Sequence, residues 1–140
     1  MALLYICSKI DAYKKAQEVE KTENERLFIS VRMDGFYLDD VKIINKEADL
    51  QMAIFRVLLC AYVDEFFSGE RKYINVQQIC SLLEAEGIFL EDPENQIHSS
   101  IYYIRTSIKS AHKNLKTDSV ISLKKAKGYR INDGVFLKRF

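Results

Sequence analysis

The chain has 140 residues, of which 48% are apolar and 29% charged, with eight Phe, eight Tyr and a single proline. This length suits one domain, and the apolar content is enough for a packed core, which excludes a disordered chain. No apolar run approaches the ~20 residues that span a bilayer, and the apolar start at residues 1–7 lacks a basic leader. We therefore expect no membrane segment, no signal peptide and a cytoplasmic location.

The cysteine and histidine content argues against disulfides and metal sites. Cys7, Cys60 and Cys80 are odd in number, widely separated and surrounded by apolar residues, which is typical of reduced core cysteines. With only His98 and His112 to join them, no spacing matches a zinc site. We predict a protein without a disulfide, a metal or a cofactor.

Charge is divided unevenly along the chain. Residues 1–98 contain 11 basic and 18 acidic side chains, whereas residues 99–140 contain 10 basic side chains and only two acidic ones. An asymmetry of this size indicates that the basic part binds nucleic acid or another acidic surface. The alternative is a solvated surface with an accidental gradient.

The first quarter of the chain predicts a helical extension followed by a small sheet. In residues 1–25, apolar residues recur at a nearly helical period and then give way to a charged run. From residue 26 onward we predict one domain, 26–140. It opens with alternating strand formers at 27–33, a hairpin signal at Asp34-Gly35, and two further short strands at 36–38 and 41–44.

Two helices are predicted next. Asn45 is a good N-cap for a helix that continues to Ser68-Gly69, and the segment 57–62 is apolar on nearly every side, so this helix should cross the core. Asn75 and Gln78 form the pattern of a capping box for a short second helix that Gly87 ends. Its predicted buried residues are Val76, Ile79, Leu82 and Leu83.

The third helix, about 94–115, is the most informative segment. Asp92-Pro93-Glu94 supplies an N-cap, a first-turn proline and an acid at the positive helix end. Apolar residues spaced by three and four form one buried stripe, namely Ile97, Ile101, Ile104, Ile108, Ala111 and Leu115. The opposite face gathers hydroxyls, aromatics and cations without a carboxylate, where an ordinary solvated face would mix both signs.

Two short strands, 120–123 and 129–131, flank the cationic turn Lys124-Lys125-Ala126-Lys127-Gly128. The complete order predicts an α+β fold: a winged helix-turn-helix with an N-terminal antiparallel β-hairpin or sheet, three helices and a C-terminal β-hairpin wing at 124–130.

The last third of the chain resembles the DNA-binding domain of OmpR/PhoB-type response regulators. The segment Ile101-Tyr102-Tyr103-Ile104-Arg105 resembles the core of that family's recognition helix, and Lys127-Gly128-Tyr129-Arg130-Ile131 resembles its closing wing strand. The similarity in element order covers about residues 27–132, and the tail 135–140 has no counterpart. Ala126 stands where the family usually has a second glycine.

The resemblance implies a bacterial transcription regulator whose third helix enters the major groove of double-stranded DNA while the wing contacts the backbone or minor groove. The chain has no room for the family's receiver domain, so we expect a stand-alone module. Such a module needs another way to pair two half-sites, and we predict a homodimer through residues 1–20, chiefly Leu3, Ile6, Cys7 and Ile10. The loop 87–94 lies where the family can contact RNA polymerase; alternatively, its Phe89 closes the core.

Thirteen residues are the predicted DNA-binding side chains. Four of them, carried over by position, are candidates to face the groove: Gln96, Ser100, Tyr102 and Tyr103. The tyrosines, where the family often has arginines, favour thymine methyl contacts or hydroxyl-to-phosphate bonds over guanine recognition. The remaining candidates are helix residues of the polar face and basic residues of the helix and wing: Ser99, Arg105, Thr106, Lys109, Lys113, Lys124, Lys125, Lys127 and Arg130. We expect Tyr129 to pack on the third helix and not to touch DNA.

An enzyme is not expected. His98-Ser99-Ser100 places a histidine beside hydroxyls, but the chain has neither a glycine-flanked nucleophile elbow nor a phosphate-binding glycine loop. The principal alternative is a winged helix that binds protein and not DNA, which would expose an apolar patch on the third helix or wing.

Overall fold

A computed structural model describes residues 6, 10, 27–68, 73–113, 115, 119–132 and 135–139. These residues form a mixed α+β fold in the predicted order: an antiparallel sheet, three helices and a C-terminal antiparallel hairpin. The elements are β1 (Leu27–Arg32), β2 (Gly35–Leu38), β3 (Val41–Asn45), α1 (Asp49–Ser68), α2 (Val76–Ala85), α3 (Pro93–Ala111), β4 (Ile121–Lys124), β5 (Gly128–Ile131) and β6 (Val135–Arg139).

The first sheet has four strands, because the C-terminal tail joins it. Its order is β3-β2-β1-β6, with β2 antiparallel to both of its neighbours, β1 and β3, and β6 parallel to β1. Val135 and Leu137 are fully buried. The Tyr62 hydroxyl on α1 donates a hydrogen bond of 2.9 Å to the Val135 carbonyl. The tail, for which the sequence offered no counterpart, is therefore part of the core.

The first hairpin lies one residue earlier than the sequence predicted. Its two loop residues are Met33 and Asp34, and Gly35 already pairs with Arg32 as the first residue of β2. Gly35 has a φ of +147°, and a Cβ there would lie 2.0 Å from the Ile44 carbonyl oxygen. The glycine is needed both for this backbone conformation, which L-residues rarely adopt, and for the close approach of β3.

The first helix begins later than predicted. Asn45 is the last residue of β3, and its side-chain oxygen accepts a hydrogen bond of 3.2 Å from the Glu47 amide, so it closes a local turn. The helix α1 starts at Asp49 and supplies a continuous buried segment, with Ala53, Ile54 and Phe55 among its core residues. As predicted, this helix crosses the core.

The ends of α2 match the sequence pattern, but its buried face is narrower. Asn75 and Gln78 form a reciprocal capping box, and Gly87, with a φ of +84°, follows the C-cap. Leu82 was predicted to be buried and is 46% exposed. At about 100° per residue it lies some 80° from the line through Ile79 and Leu83, which are the buried residues.

The buried stripe of α3 is confirmed for Ile97, Ile101, Ile104 and Ile108. The helix ends at Ala111, four residues before the predicted end, with His112 as its C-cap. Most of the predicted extension 1–25 lies outside the described residues. Ile6 and Ile10 are helical and fully buried in the chain's own core, so these two side chains are not available to a second copy, contrary to the prediction.

Candidate nucleic-acid interface

One face of α3 is exposed, and it is the face opposite the isoleucine stripe. The side chains on it are polar, aromatic or cationic, and none of residues 97–113 is acidic. The exposed residues of this face are six in the helix and one, Lys113, in the turn that follows it: Ser99, Tyr102, Tyr103, Thr106, Lys109, Ser110 and Lys113. Six of these seven were predicted DNA-binding residues, and their role in binding stays a prediction.

Two tyrosines dominate the middle of this face. Tyr102 is 66% exposed and Tyr103 is 58% exposed. Their rings contact each other edge to face, with centroids 5.8 Å apart and planes at 69°. The pair is thus a solvent-exposed aromatic surface in an otherwise polar region.

Two of the predicted groove-facing residues, Gln96 and Ser100, are not fully exposed to solvent. Ser100 is only 7% exposed, because it lies on the flank of the isoleucine stripe, about 60° from Ile97 around the helix. Its prediction as a groove-facing residue is wrong. Gln96 is half-buried, and its side-chain oxygen accepts a hydrogen bond of 2.9 Å from the Asp92 amide. Its amide group is thereby used in the first turn of the helix.

The basic residues of α3 divide between its flank and its end. Arg105 is half-buried on the side facing the wing. Burial raises the pKa of the Tyr129 phenol from its ordinary value, and the positive charge of Arg105 opposes this with a smaller effect. Lys109 is exposed and donates a hydrogen bond to the Leu115 carbonyl. The cations of α3 therefore lie on one flank of the helix and near its C-terminal end, and the tyrosine pair occupies the middle of the exposed face.

The wing has its positive charge at the tip. Lys124, Lys125 and Lys127 are exposed around a turn in which Ala126 adopts a φ of +70°. Arg130 is half-buried at the base, with its guanidinium carbon 5.7 Å from the centre of the Tyr73 ring. Arg130 therefore differs from the three lysines, since it packs within the wing base.

The base of the wing is attached to the helices by backbone and side-chain contacts. Ile74, which lies between α1 and α2, exchanges two backbone hydrogen bonds of 2.8 and 2.9 Å with Tyr129. Gly128 permits this approach, because a Cβ there would lie 2.1 Å from the Ile74 carbonyl oxygen. The Tyr129 hydroxyl is hydrogen-bonded to Nδ1 of His98 on α3. The prediction that Tyr129 packs on the third helix is confirmed.

The other flank of α3 faces the N-terminal sheet, an arrangement that no local sequence pattern indicated. A groove of about 270 Å³ separates β3 from the C-terminal half of α3; its lining residues are Val41, Lys42, Thr106, Ser107, Ser110 and Ala111. Lys42 pairs with Asp34 at 2.9 Å, and this carboxylate raises the lysine pKa. At the helix end, His112 Nε2 lies 3.0 Å from a carboxylate oxygen of Asp39. The exposed face of α3 is thus bordered by β3 on one side and the wing on the other.

The loop between α2 and α3 exposes its aromatic residue. Phe89 is 75% exposed, so the interpretation in which it closes the core is wrong. Its neighbours Ile88 and Leu90 are half-buried and pack against the core instead. Glu91 and Glu94 are exposed beside it. Contact between this loop and RNA polymerase stays a prediction.

Within the described part of the chain, no group of three or more His, Cys, Asp or Glu side chains is arranged to hold a metal ion. No described helix is long and apolar enough to cross a membrane. Comparisons of the chain with protein-family models, with curated proteins and with solved structures find no match.

Proposed function

We propose that this protein is a cytoplasmic transcription regulator that binds double-stranded DNA, with α3 in the major groove and the lysines of the wing tip on the neighbouring backbone or minor groove. The observation that supports this most directly is the exposed face of α3. From residue 97 to residue 113 it is free of carboxylates; it includes hydroxyls and lysines and is bordered by a wing with three exposed lysines. DNA presents acceptor-rich base edges and a dense line of phosphates to such a surface.

The relative position of the elements also supports the proposal. The helices α2 and α3 are consecutive and pack on each other, and the wing base is attached to both the α2 entry at Ile74 and to His98 on α3. In helix-turn-helix proteins such an arrangement leaves the second helix of the pair free to enter the groove. The resemblance of residues 101–105 and 127–131 to the OmpR/PhoB-type domain favours the same docking mode.

The test is the salt dependence of binding to a labelled duplex, measured by fluorescence anisotropy. At about 50 mM and 200 mM salt, each neutralised phosphate contributes roughly −0.9 to the slope of log affinity against log salt concentration. We expect the affinity to fall on the order of a hundredfold between the two conditions. The absence of binding at the lower salt concentration would contradict the proposal.

Charge-removing variants locate the contact. We expect the combined variant K124Q/K125Q/K127Q to reduce the slope by about one unit for every lysine that contacts phosphate. The control is K46Q, which removes one charge at the exposed turn after β3, outside the proposed interface. An unchanged slope in the wing variant would exclude the wing tip from the DNA contact.

A second candidate function is an adaptor that binds another protein. The exposed aromatic pair Tyr102 and Tyr103, whose ring centroids lie 5.8 Å apart, favours it, and Leu123 on the wing is a further exposed apolar residue at 49%. Exposed apolar side chains that are close together often mark protein interfaces. The anisotropy experiment separates the two candidates, because an adaptor of this kind would show no salt-dependent affinity for DNA.

A further inference from the structure

The exposed side chains of α3 can make only some of the known contacts to DNA bases, and these contacts favour one class of DNA sequence. This inference rests on the proposed function. We infer that the protein discriminates A·T from G·C base pairs by apolar contact of Tyr102 and Tyr103 with the C5-methyl groups of thymine in the major groove.

Guanine recognition by an arginine is not provided by this helix. The most common specific contact to guanine is a guanidinium that donates two hydrogen bonds to O6 and N7. Arg105 is the only arginine in α3, and it is half-buried on the flank facing Tyr129. The Lys109 ammonium donates a hydrogen bond to the Leu115 carbonyl, and Lys113 lies beyond the last residue of the helix.

Adenine recognition by an amide is not provided either. The usual contact uses both the donor and the acceptor of one Asn or Gln side chain. Asn95 and Gln96 are the only such residues in α3. The Asn95 amide nitrogen donates to the Asp92 carboxylate at 2.7 Å, and the Gln96 amide oxygen accepts from the Asp92 backbone at 2.9 Å. In each side chain, one of the two groups that would bond to adenine, the amide nitrogen of Asn95 or the amide oxygen of Gln96, is already hydrogen-bonded to Asp92.

What remains at the centre of the exposed face is aromatic and hydroxylic. Serine and threonine hydroxyls bond to several bases and discriminate little between them. The rings of Tyr102 and Tyr103, with two thirds and more than half of their surface exposed, are the largest apolar groups on this face. The thymine methyl is the one apolar group in the major groove that differs between base pairs, so it is the feature these rings can distinguish.

The test begins with selection of bound duplexes from a randomised pool. We expect enrichment of sites with A·T pairs at their centre. An enriched site is then synthesised with every thymine replaced by deoxyuracil, which removes the methyl group and keeps base pairing. Each lost methyl contact is expected to weaken binding about fourfold.

Tyrosine variants assign the effect to the two side chains. Y102A/Y103A should bind the thymine and deoxyuracil duplexes equally, whereas Y102F/Y103F should keep the preference, because the rings are retained and only the hydroxyls are lost. The control is F89A, which removes an exposed aromatic ring from the loop before α3 and should keep the preference unchanged. Loss of the preference in Y102F/Y103F would assign the discrimination to hydroxyl bonds and overturn the inference.

Failure of the inference and failure of the proposed function are distinguishable. Salt-dependent binding with equal affinity for the thymine and deoxyuracil duplexes, or enrichment of G·C-centred sites, would overturn methyl recognition and leave DNA binding intact. No binding to any duplex at low salt would overturn both.

Discussion

The hydroxyl of Tyr129 in the wing and Nδ1 of His98 in α3 are hydrogen-bonded, and the centres of the two rings lie 5.6 Å apart at an angle of 59°. Tyr129 is almost fully buried, whereas His98 is exposed on its outer side. Because the backbone of Tyr129 also pairs with Ile74, this one residue joins the wing to α3 and to the start of α2. Tyr129 is therefore one of the residues that hold the wing against the helices.

We predict that His98 and Tyr129 are energetically coupled. Y129F removes the hydrogen bond and leaves an imidazole that water can reach, so we expect a loss of about 1 kcal/mol in the free energy of unfolding. H98A leaves a buried phenol without its partner and should cost about 1–3 kcal/mol. Urea unfolding of both single variants and of the double variant measures the coupling. Simple additivity of the two losses would show that the bond contributes nothing.

Ala126 occupies the backbone conformation that favours glycine. Its φ of +70° in the wing turn costs an L-residue with a Cβ roughly 1–2 kcal/mol. We expect A126G to stabilise the protein by about 0.5–1 kcal/mol, after part of this gain is lost to the greater entropy of the unfolded chain. The matched control is K125G, whose position is not among the positive-φ residues and which should destabilise the protein. The measurement is the unfolding midpoint in urea; a lower midpoint for A126G would contradict the prediction.

Gly128 is required both by its positive φ and by a close backbone neighbour, whereas Gly87 is required by its positive φ alone. Both have a positive φ, of +115° and +84°, but an added Cβ would meet the Ile74 carbonyl at Gly128 and nothing within 4 Å at Gly87. We expect G87A to cost roughly 1–2 kcal/mol for the backbone conformation. G128A should cost about 2 kcal/mol more, because it also separates the two backbone hydrogen bonds with Ile74. Thermal or urea unfolding compares them; equal losses would show that the close approach contributes no stability.

The C-terminal strand should be essential for stability. Leu137 on β6 is fully buried, so L137A creates a cavity in the core and is expected to cost about 2–5 kcal/mol. The control is L123A on the wing, where half of the side chain is exposed and the expected cost is below about 1 kcal/mol. Urea unfolding of the two variants provides the comparison. A cost as small as that of L123A would contradict the assignment of β6 to the core.

Asp34 should make the fold sensitive to acid. Its pKa is lowered from the ordinary value of 3.8, first by the hydrogen bond from the Tyr37 hydroxyl at 2.7 Å and then by the bond from Lys42. A lowered folded-state pKa stabilises the protein at pH values above the unfolded pKa, and this contribution is lost as the pH falls through the folded value. We therefore expect the unfolding free energy of D34N to depend less on pH below about 4 than that of the unchanged chain.

Tyr37 supplies the control for this effect. Y37F removes the largest cause of the shift, so the Asp34 pKa, followed by NMR of the side-chain carboxyl, should rise toward 3.8. Parallel pH–stability curves for D34N and the unchanged chain would refute the role of Asp34.

The local elements could be predicted from the chain, because their signals lie within a few residues of one another. The capping pair Asn75 and Gln78 and the isoleucine stripe of α3 depend only on neighbouring residues and helical periodicity, and both are present as predicted. The element boundaries do not follow from local signals alone: an asparagine can cap a helix or close a turn, and Asn45 ends β3 and closes a turn. The exposure of Phe89 was equally undetermined, since its two neighbours could reach the core in its place.

The borders of the candidate interface, and the groups available on it, depend on contacts between distant parts of the chain. The parallel pairing of β6 with β1, the bond between His98 and Tyr129, and the groove between β3 and α3 join residues far apart in the chain. Loop closure makes such contacts conditional on the whole fold, so no local pattern records them. The assignment of Ser100 to the groove-facing surface came from the family resemblance; the helical period places it about 60° from Ile97, on the flank that packing buries.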